Sequence, residues 1–119
     1  MITTVELPIR TISEANRSRH EHWSTTAKRV KGQRAAARGL TRIAIANKEP
    51  LLSITLTRIA PRQLDQGNLG RALKAVQDGV SDALRIDDGS PAILWIYSQR
   101  KGRSNEYSVL VEIDQKGGR

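Results

Sequence analysis

Apolar and polar residues alternate over residues 3–9, with Val5, Leu7 and Ile9 on one side, and this period of two predicts a first strand. Pro8 lacks an N–H to give to a neighbour, which suggests an edge position. Residues 10–24 are polar and irregular. Ser24 or Thr25 is suited to cap a long helix running to about Asn47. Its apolar positions Val30, Ala37, Leu40 and Ala44 recur at helical spacing, and Lys31, Arg34, Arg38 and Arg42 fall on roughly the opposite face. Gly32 and Gly39 weigh against that helix. Alternation returns over 51–59, with Leu52, Ile54 and Leu56 on one face and Ser53, Thr55 and Thr57 on the other.

Residues 60–67 read as a loop, and Asn68 as the N-cap of the cleanest helix in the chain. Leu69, Ala72, Leu73, Val76, Val80, Ala83 and Leu84 follow the helical repeat, and Arg71, Lys74, Asp78, Asp82 and Arg85 form the outer face. Residues 86–91 have turn chemistry. Residues 92–99 and 106–113 then predict an antiparallel hairpin across 100–105, with Gly102 in the turn. The tail from 114 to 119 is expected to fray.

The predicted order is β-α-β-α-β-β. This is an α/β (α+β) chain with a mixed sheet of about four strands and two main helices. At 119 residues it reads as one domain, 1–119. The core is thin: there is no Phe, and only two Trp and two Tyr. Burying a further face in a homodimer would help such a domain.

Charge adds direction to this picture. Residues 1–64 carry twelve Lys/Arg against four Glu, whereas residues 65–119 carry eight of each sign, for a net charge of +8. Every Asp lies at or after position 65. The first half therefore reads as a polyanion-binding surface, with general solubility or a ribosome-associated basic protein as the plain alternatives. The absence of cysteine excludes disulfides, thiolate zinc sites and thiol nucleophiles. No N-terminal apolar region and no apolar run near ~18 residues is present, so a soluble cytoplasmic protein with no membrane association is expected.

The carboxylates suggest chemistry. Asp65 lies between a strand and a helix start, and Asp87 and Asp88 follow the same helix. The helix is ~24 Å long, so its ends share a site only if the chain folds back. Antiparallel neighbouring strands at Ile59 and Ala92 would place Asp65 and Asp87/Asp88 at one sheet edge. Mg²⁺ held there would lower the pKa of a bound water and neutralise charge on a phosphodiester transition state. Lys74 or Arg71 would add positive charge. Each acid also has a simpler reading. Asp65 could be a turn residue, Asp-Asp-Gly a loop, Asn68 only a cap, and Asp78 and Asp82 a solvated face with Lys74 and Arg85.

The stretch 64–90, LDQGNLGRALKAVQDGVSDALRIDDGS, resembles the RusA family of Holliday-junction resolvases. That family carries Asp-x-Asp-Asn-Leu, a Lys on the following helix, Asp-Ala-Leu near the helix end and an Asp-Asp doublet before a strand. The segment NRSRHEHW (16–23) and the basic helix after it also look like the family's N-terminal half. The resemblance implies a homodimeric, Mg²⁺-dependent endonuclease that nicks four-way DNA junctions symmetrically. By position it implies metal ligation by Asp65, Asp87 and Asp88, and catalytic roles for these three and for Lys74, although Arg71 holds the stricter place of the family Lys. One departure stands out: Gly67 occupies the position of the second Asp of Asp-x-Asp.

Further candidates for phosphate contact are Asn16, Arg17, Arg19, His20, Lys28, Lys31, Arg34, Arg38, Arg62, Asn68 and Arg71. His20 and His22 flank Glu21, but no third metal ligand is nearby. Trp23 reads as a core residue or as a platform for an unpaired base. Three functions follow: a Mg²⁺-dependent junction endonuclease, a catalytically weakened branched-DNA-binding protein, and a basic RNA-binding protein with an incidental acidic loop.

Overall fold

The computed structural model describes residues 1–12, 23–45, 47, 49–87 and 89–117. The elements follow the expected order: β1 (Ile2–Leu7), α1 (Trp23–Ala44), β2 (Leu51–Ala60), α2 (Gln66–Leu84), β3 (Leu94–Lys101) and β4 (Ser108–Gln115). They form one four-stranded sheet, ordered β1-β4-β2-β3. β4 runs antiparallel to both β1 and β2, and β3 pairs with β2 in parallel. β1, β2 and β3 therefore all point one way.

The expected β3–β4 hairpin is not formed. Helix α2 carries the chain from the end of β2 back to its start, so the next strand lies parallel beside β2. β4 then takes the opposite side of β2, where Val109, Val111 and Ile113 are wholly buried. Residues 102–107 carry the chain past the end of β2. Six residues reach ~20 Å, ample for the ~10 Å across two strand spacings.

Element ends differ from the sequence expectation by a few residues. β1 stops at Leu7, so Pro8 follows the edge strand rather than lying in it. α1 begins at Trp23, before Ser24 and Thr25, and stops at Ala44, short of Asn47.

The apolar stripe of α2 meets the sheet as its spacing predicts. Leu69, Leu73, Val76 and Val80 pack with Val5, Leu7, Ile54, Leu56 and the three apolar residues of β4 in one core. Leu52, expected on the same face as Ile54, is about half exposed.

α1 and α2 run in the same direction and touch at Gly79, where an added Cβ would lie 2.3 Å from the Arg34 carbonyl oxygen and 2.7 Å from the Ala37 Cβ. Only glycine permits that approach. Near the same crossing Arg34 clasps Asp82 through two hydrogen bonds of 2.7 and 2.9 Å.

Candidate nucleic-acid and carboxylate site

Asp65, not Asn68, caps α2. The Asp65 carboxylate accepts the Asn68 backbone N–H at 2.9 Å and the Asn68 side-chain amide at 3.0 Å. Asn68 thus sits in the first turn and fixes both oxygens of the acid that precedes it. Leu69 next to it is buried in the core. One short stretch therefore combines a cap, a carboxylate held in a fixed orientation and an anchor. Asp65 is exposed and lies at the positive end of the helix dipole.

The loop leading to Asp65 is held from β3. The Gln99 side chain accepts the Leu64 N–H at 2.9 Å and donates to the Leu64 carbonyl at 2.6 Å. A side-chain amide here replaces a peptide group and sets the residue just before Asp65. Arg58 braces the other side of the loop. Its guanidinium donates to the Arg62 carbonyl at 2.6 Å, the Thr11 hydroxyl at 3.0 Å and the Thr11 carbonyl at 3.3 Å. Burial lowers the pKa of this guanidinium, and Tyr107 works in the opposite direction. Gln99 and Arg58 were not among the sequence candidates. Their role comes from strand register, because Arg58 and Gln99 are parallel partners.

The second acid cluster lies at the other end of the molecule. β2 and β3 are parallel, so Leu94 lies beside Ser53 and Lys101 beside Ala60. The antiparallel arrangement expected from sequence would have placed Asp65 and Asp87 at one edge. Instead the whole of α2, ~28 Å of helix, separates them. Metal–oxygen bonds of ~2.1 Å cannot bridge that gap. Asp87 serves its own turn, accepting the Gly89 N–H at 2.9 Å. Asp88 lies outside the described residues. Among the described residues no group of three or more His, Cys, Asp or Glu side chains could hold a metal ion. A single chain therefore does not assemble the Mg²⁺ site from its described residues.

At Gly67, an added Cβ would meet only the Asp65 Oδ1, at 3.6 Å, an ordinary contact. The backbone there is helical, so an Asp would fit and would lie beside Asp65.

The basic candidates divide into three groups. Lys31, Arg38 and Arg42 are exposed along α1, as the helical spacing predicts, Lys28 is exposed on the same helix, and Arg62 and Arg71 are exposed near the start of α2. Arg34 is engaged with Asp82, so its charge is largely answered within the chain and it serves the helix crossing. The Asp82 pKa is held below the usual carboxylate value, mainly by this hydrogen bond. Lys74 pairs with Asp78 at 3.0 Å, the expected i,i+4 partner, whereas Asp82 reaches across to α1 rather than to Arg85. Asn16, Arg17, Arg19, His20 and His22 lie outside the described residues, and of Trp23 only the backbone is described.

No helix among the described residues is long and apolar enough to cross a membrane. No protein-family model matches the chain, and no curated protein matches it.

Proposed function

We propose that this chain is a RusA-like endonuclease for branched DNA, dependent on Mg²⁺ and working as a homodimer. The observation that carries the reading is the local structure around Asp65. There an exposed carboxylate is oriented by Asn68 and pinned by Leu69, within a basic chain, in the stretch that resembles the family. Acids at opposite ends of α2 make a second copy necessary to this reading.

The β3 edge suits a second copy. Among the described residues it has no strand partner on its outer side, and Leu94, Ile96 and Tyr97 on it are 61%, 40% and 37% exposed. Two β3 strands pairing antiparallel about a twofold axis would set the start of one beside the end of the other. That brings Asp65 of one copy toward the partner's Asp87. Mg²⁺ bound there would supply a lowered water pKa and a counter-charge for the phosphate. This chain's contribution would be to orient the Asp65 oxygens and to gather phosphates along α1.

A second reading rests on Gly67. With one carboxylate missing from the motif, the protein could hold branched DNA without cutting it. A labelled four-way junction, incubated in EDTA or in Mg²⁺, separates the readings. Binding in EDTA with paired nicks in Mg²⁺ supports the endonuclease. Binding without nicks, restored to cutting by Gly67→Asp, supports an inactivated member of the same design. Binding with no cutting by either protein leaves a DNA-holding function. Equal affinity for RNA and linear duplex would instead favour a basic RNA-binding protein.

A further inference from the structure

The sheet has two ends of different charge. One row across it is Leu7, Val109, Arg58 and Gln99. Beyond that row β1, β2 and β3 all terminate, and both helices start on the same side. Arg10, Arg62, Arg100, Lys101 and Arg103 lie there, with Asp65 and Glu106 as the acids among the described residues. The opposite row is Ile2, Asp114, Ser53 and Leu94. Around and beyond it the described charges come nearer to balance: Glu49, Asp87 and Asp114 against Arg42, Arg85, Lys116 and the terminal amine. The sequence shows a basic first half, but the fold converts this into a basic end, because Arg100, Lys101 and Arg103 come from the neutral second half.

The basic end is built on ordered loops. Gly102 donates its N–H to the Ala60 carbonyl at 2.8 Å, which ties the end of β3 to the end of β2. A Cβ at Gly102 would come within 3.0 Å of Ile59 and 2.9 Å of Glu106. Glu106 accepts the Arg103 N–H at 2.8 Å and closes the turn. The Arg10 guanidinium stacks 4.3 Å above the Tyr107 ring. Arg100, Lys101 and Arg103 are thereby presented, exposed, from a fixed backbone at the end of the sheet where α2 starts, with Arg100 and Lys101 on opposite faces of β3 so that they flank its end from both sides.

We infer that Arg100, Lys101 and Arg103, with Arg62, form a second phosphate-binding surface, distinct from the basic face of α1, along which a DNA backbone passes the start of α2. The inference rests on the DNA-binding reading above and adds the surface at the strand ends. Clustered cations repel one another until a polyanion neutralises them, and each phosphate contact releases counterions. The occupant is a nucleic acid rather than a lipid surface. Membrane-binding surfaces set exposed apolar side chains among their cations. Among the described residues the exposed large apolar side chains are elsewhere: Met1, Ile2, Leu52 and Leu94 at the far end, Ile43 in the last turn of α1, and Ile96 and Tyr97 along β3.

The test is fluorescence anisotropy with a labelled four-way junction in EDTA, over a salt series. The variants are a triple Arg100→Gln, Lys101→Gln, Arg103→Gln protein and a matched Lys31→Gln, Arg38→Gln, Arg42→Gln protein, each checked by circular dichroism. The strand-end triple variant should bind at least about tenfold more weakly, with a log–log salt slope shallower by about two to three. Unchanged affinity and slope overturn the inference while leaving the DNA-binding reading intact. Failure of the wild-type chain to bind junction, duplex or single-stranded DNA at low salt overturns both. Equal binding of the wild type to phosphatidylserine vesicles overturns the choice of nucleic acid. Acetylation footprinting of the wild type needs no variant: bound DNA should protect Lys101 and leave Lys116 reactive. Equal reactivity of Lys101 with and without DNA counts against the surface.

Discussion

Asp65 carries two roles that a substitution can separate. As N-cap it accepts the Asn68 N–H, and as a carboxylate it offers a negative charge. Asn caps about as well as Asp, whereas Ala does not. Asp65→Ala should cost about 1 kcal/mol of stability, measured by urea unfolding, and Asp65→Asn only a few tenths. Both should abolish any Mg²⁺-dependent cutting. A cutting-competent Asp65→Asn would remove the residue from the proposed chemistry. At the other end of α2, Arg85 adopts a left-handed conformation with φ of 54°. The Ile86 N–H reaches the Ser81 carbonyl at 3.1 Å and the Arg85 N–H the Asp82 carbonyl at 3.4 Å, the paired bonds of a Schellman end. A side chain is disfavoured there by about 1 kcal/mol, so Arg85→Gly should raise stability by about that much in the same assay. The Asp-Ala-Leu-Arg-Ile sequence shows where the helix stops, but only the backbone reveals that a non-glycine bears the cost.

The helix pair illustrates competition between local preference and packing. Helix propensity alone says that Ala at position 79 would be better than Gly by about 1 kcal/mol. The crossing says the reverse, since the new methyl would overlap the Arg34 carbonyl and the Ala37 methyl. Overpacking costs typically about 1–3 kcal/mol. Gly79→Ala should therefore lower the thermal midpoint, and an increase would show that the helices can separate without penalty. The neighbouring Arg34–Asp82 pair links this crossing to pH. Because the Asp82 pKa is lowered in the folded state, its contribution is fully present above the unfolded value near 4 and is lost as pH falls through the folded value. Arg34→Gln should be less stable than wild type at pH 7, and the gap should close in acid below about pH 4. A gap independent of pH would assign the effect to packing instead. At this scale the periodicities of α2 and β2 were legible from the sequence. The strand pairing was not: a short Gly-containing loop looks the same whether it turns back or crosses over a neighbour.

At the scale of the molecule, strand order decides what the charged residues can do together. Parallel β2 and β3 separate Asp65 from Asp87, and the same pairing brings the end of β3, with Arg100 and Lys101, to the Asp65 end. Any carboxylate pair spanning the motif must then come from two copies. Size-exclusion chromatography with light scattering should report a dimer, and Ile96→Lys on the exposed β3 edge should yield a folded monomer that binds DNA more weakly and does not cut. A wild-type monomer that cuts junctions would refute the shared site. A dimer insensitive to Ile96→Lys would move the interface elsewhere.

The sequence by itself determined which segments become helix or strand, because the spacing of apolar residues is a local property that one face of an element must satisfy. It also determined that Asp65 precedes a helix and that Lys31, Arg34, Arg38 and Arg42 lie on the face of α1 away from its apolar positions. The tertiary structure alone decided which strands are neighbours, which acids are far apart and which cations gather at one end. Those outcomes depend on β2 and β4, the most buried strands, taking the two central positions of the sheet side by side, a choice made by burial across the whole domain and not by any single stretch of it.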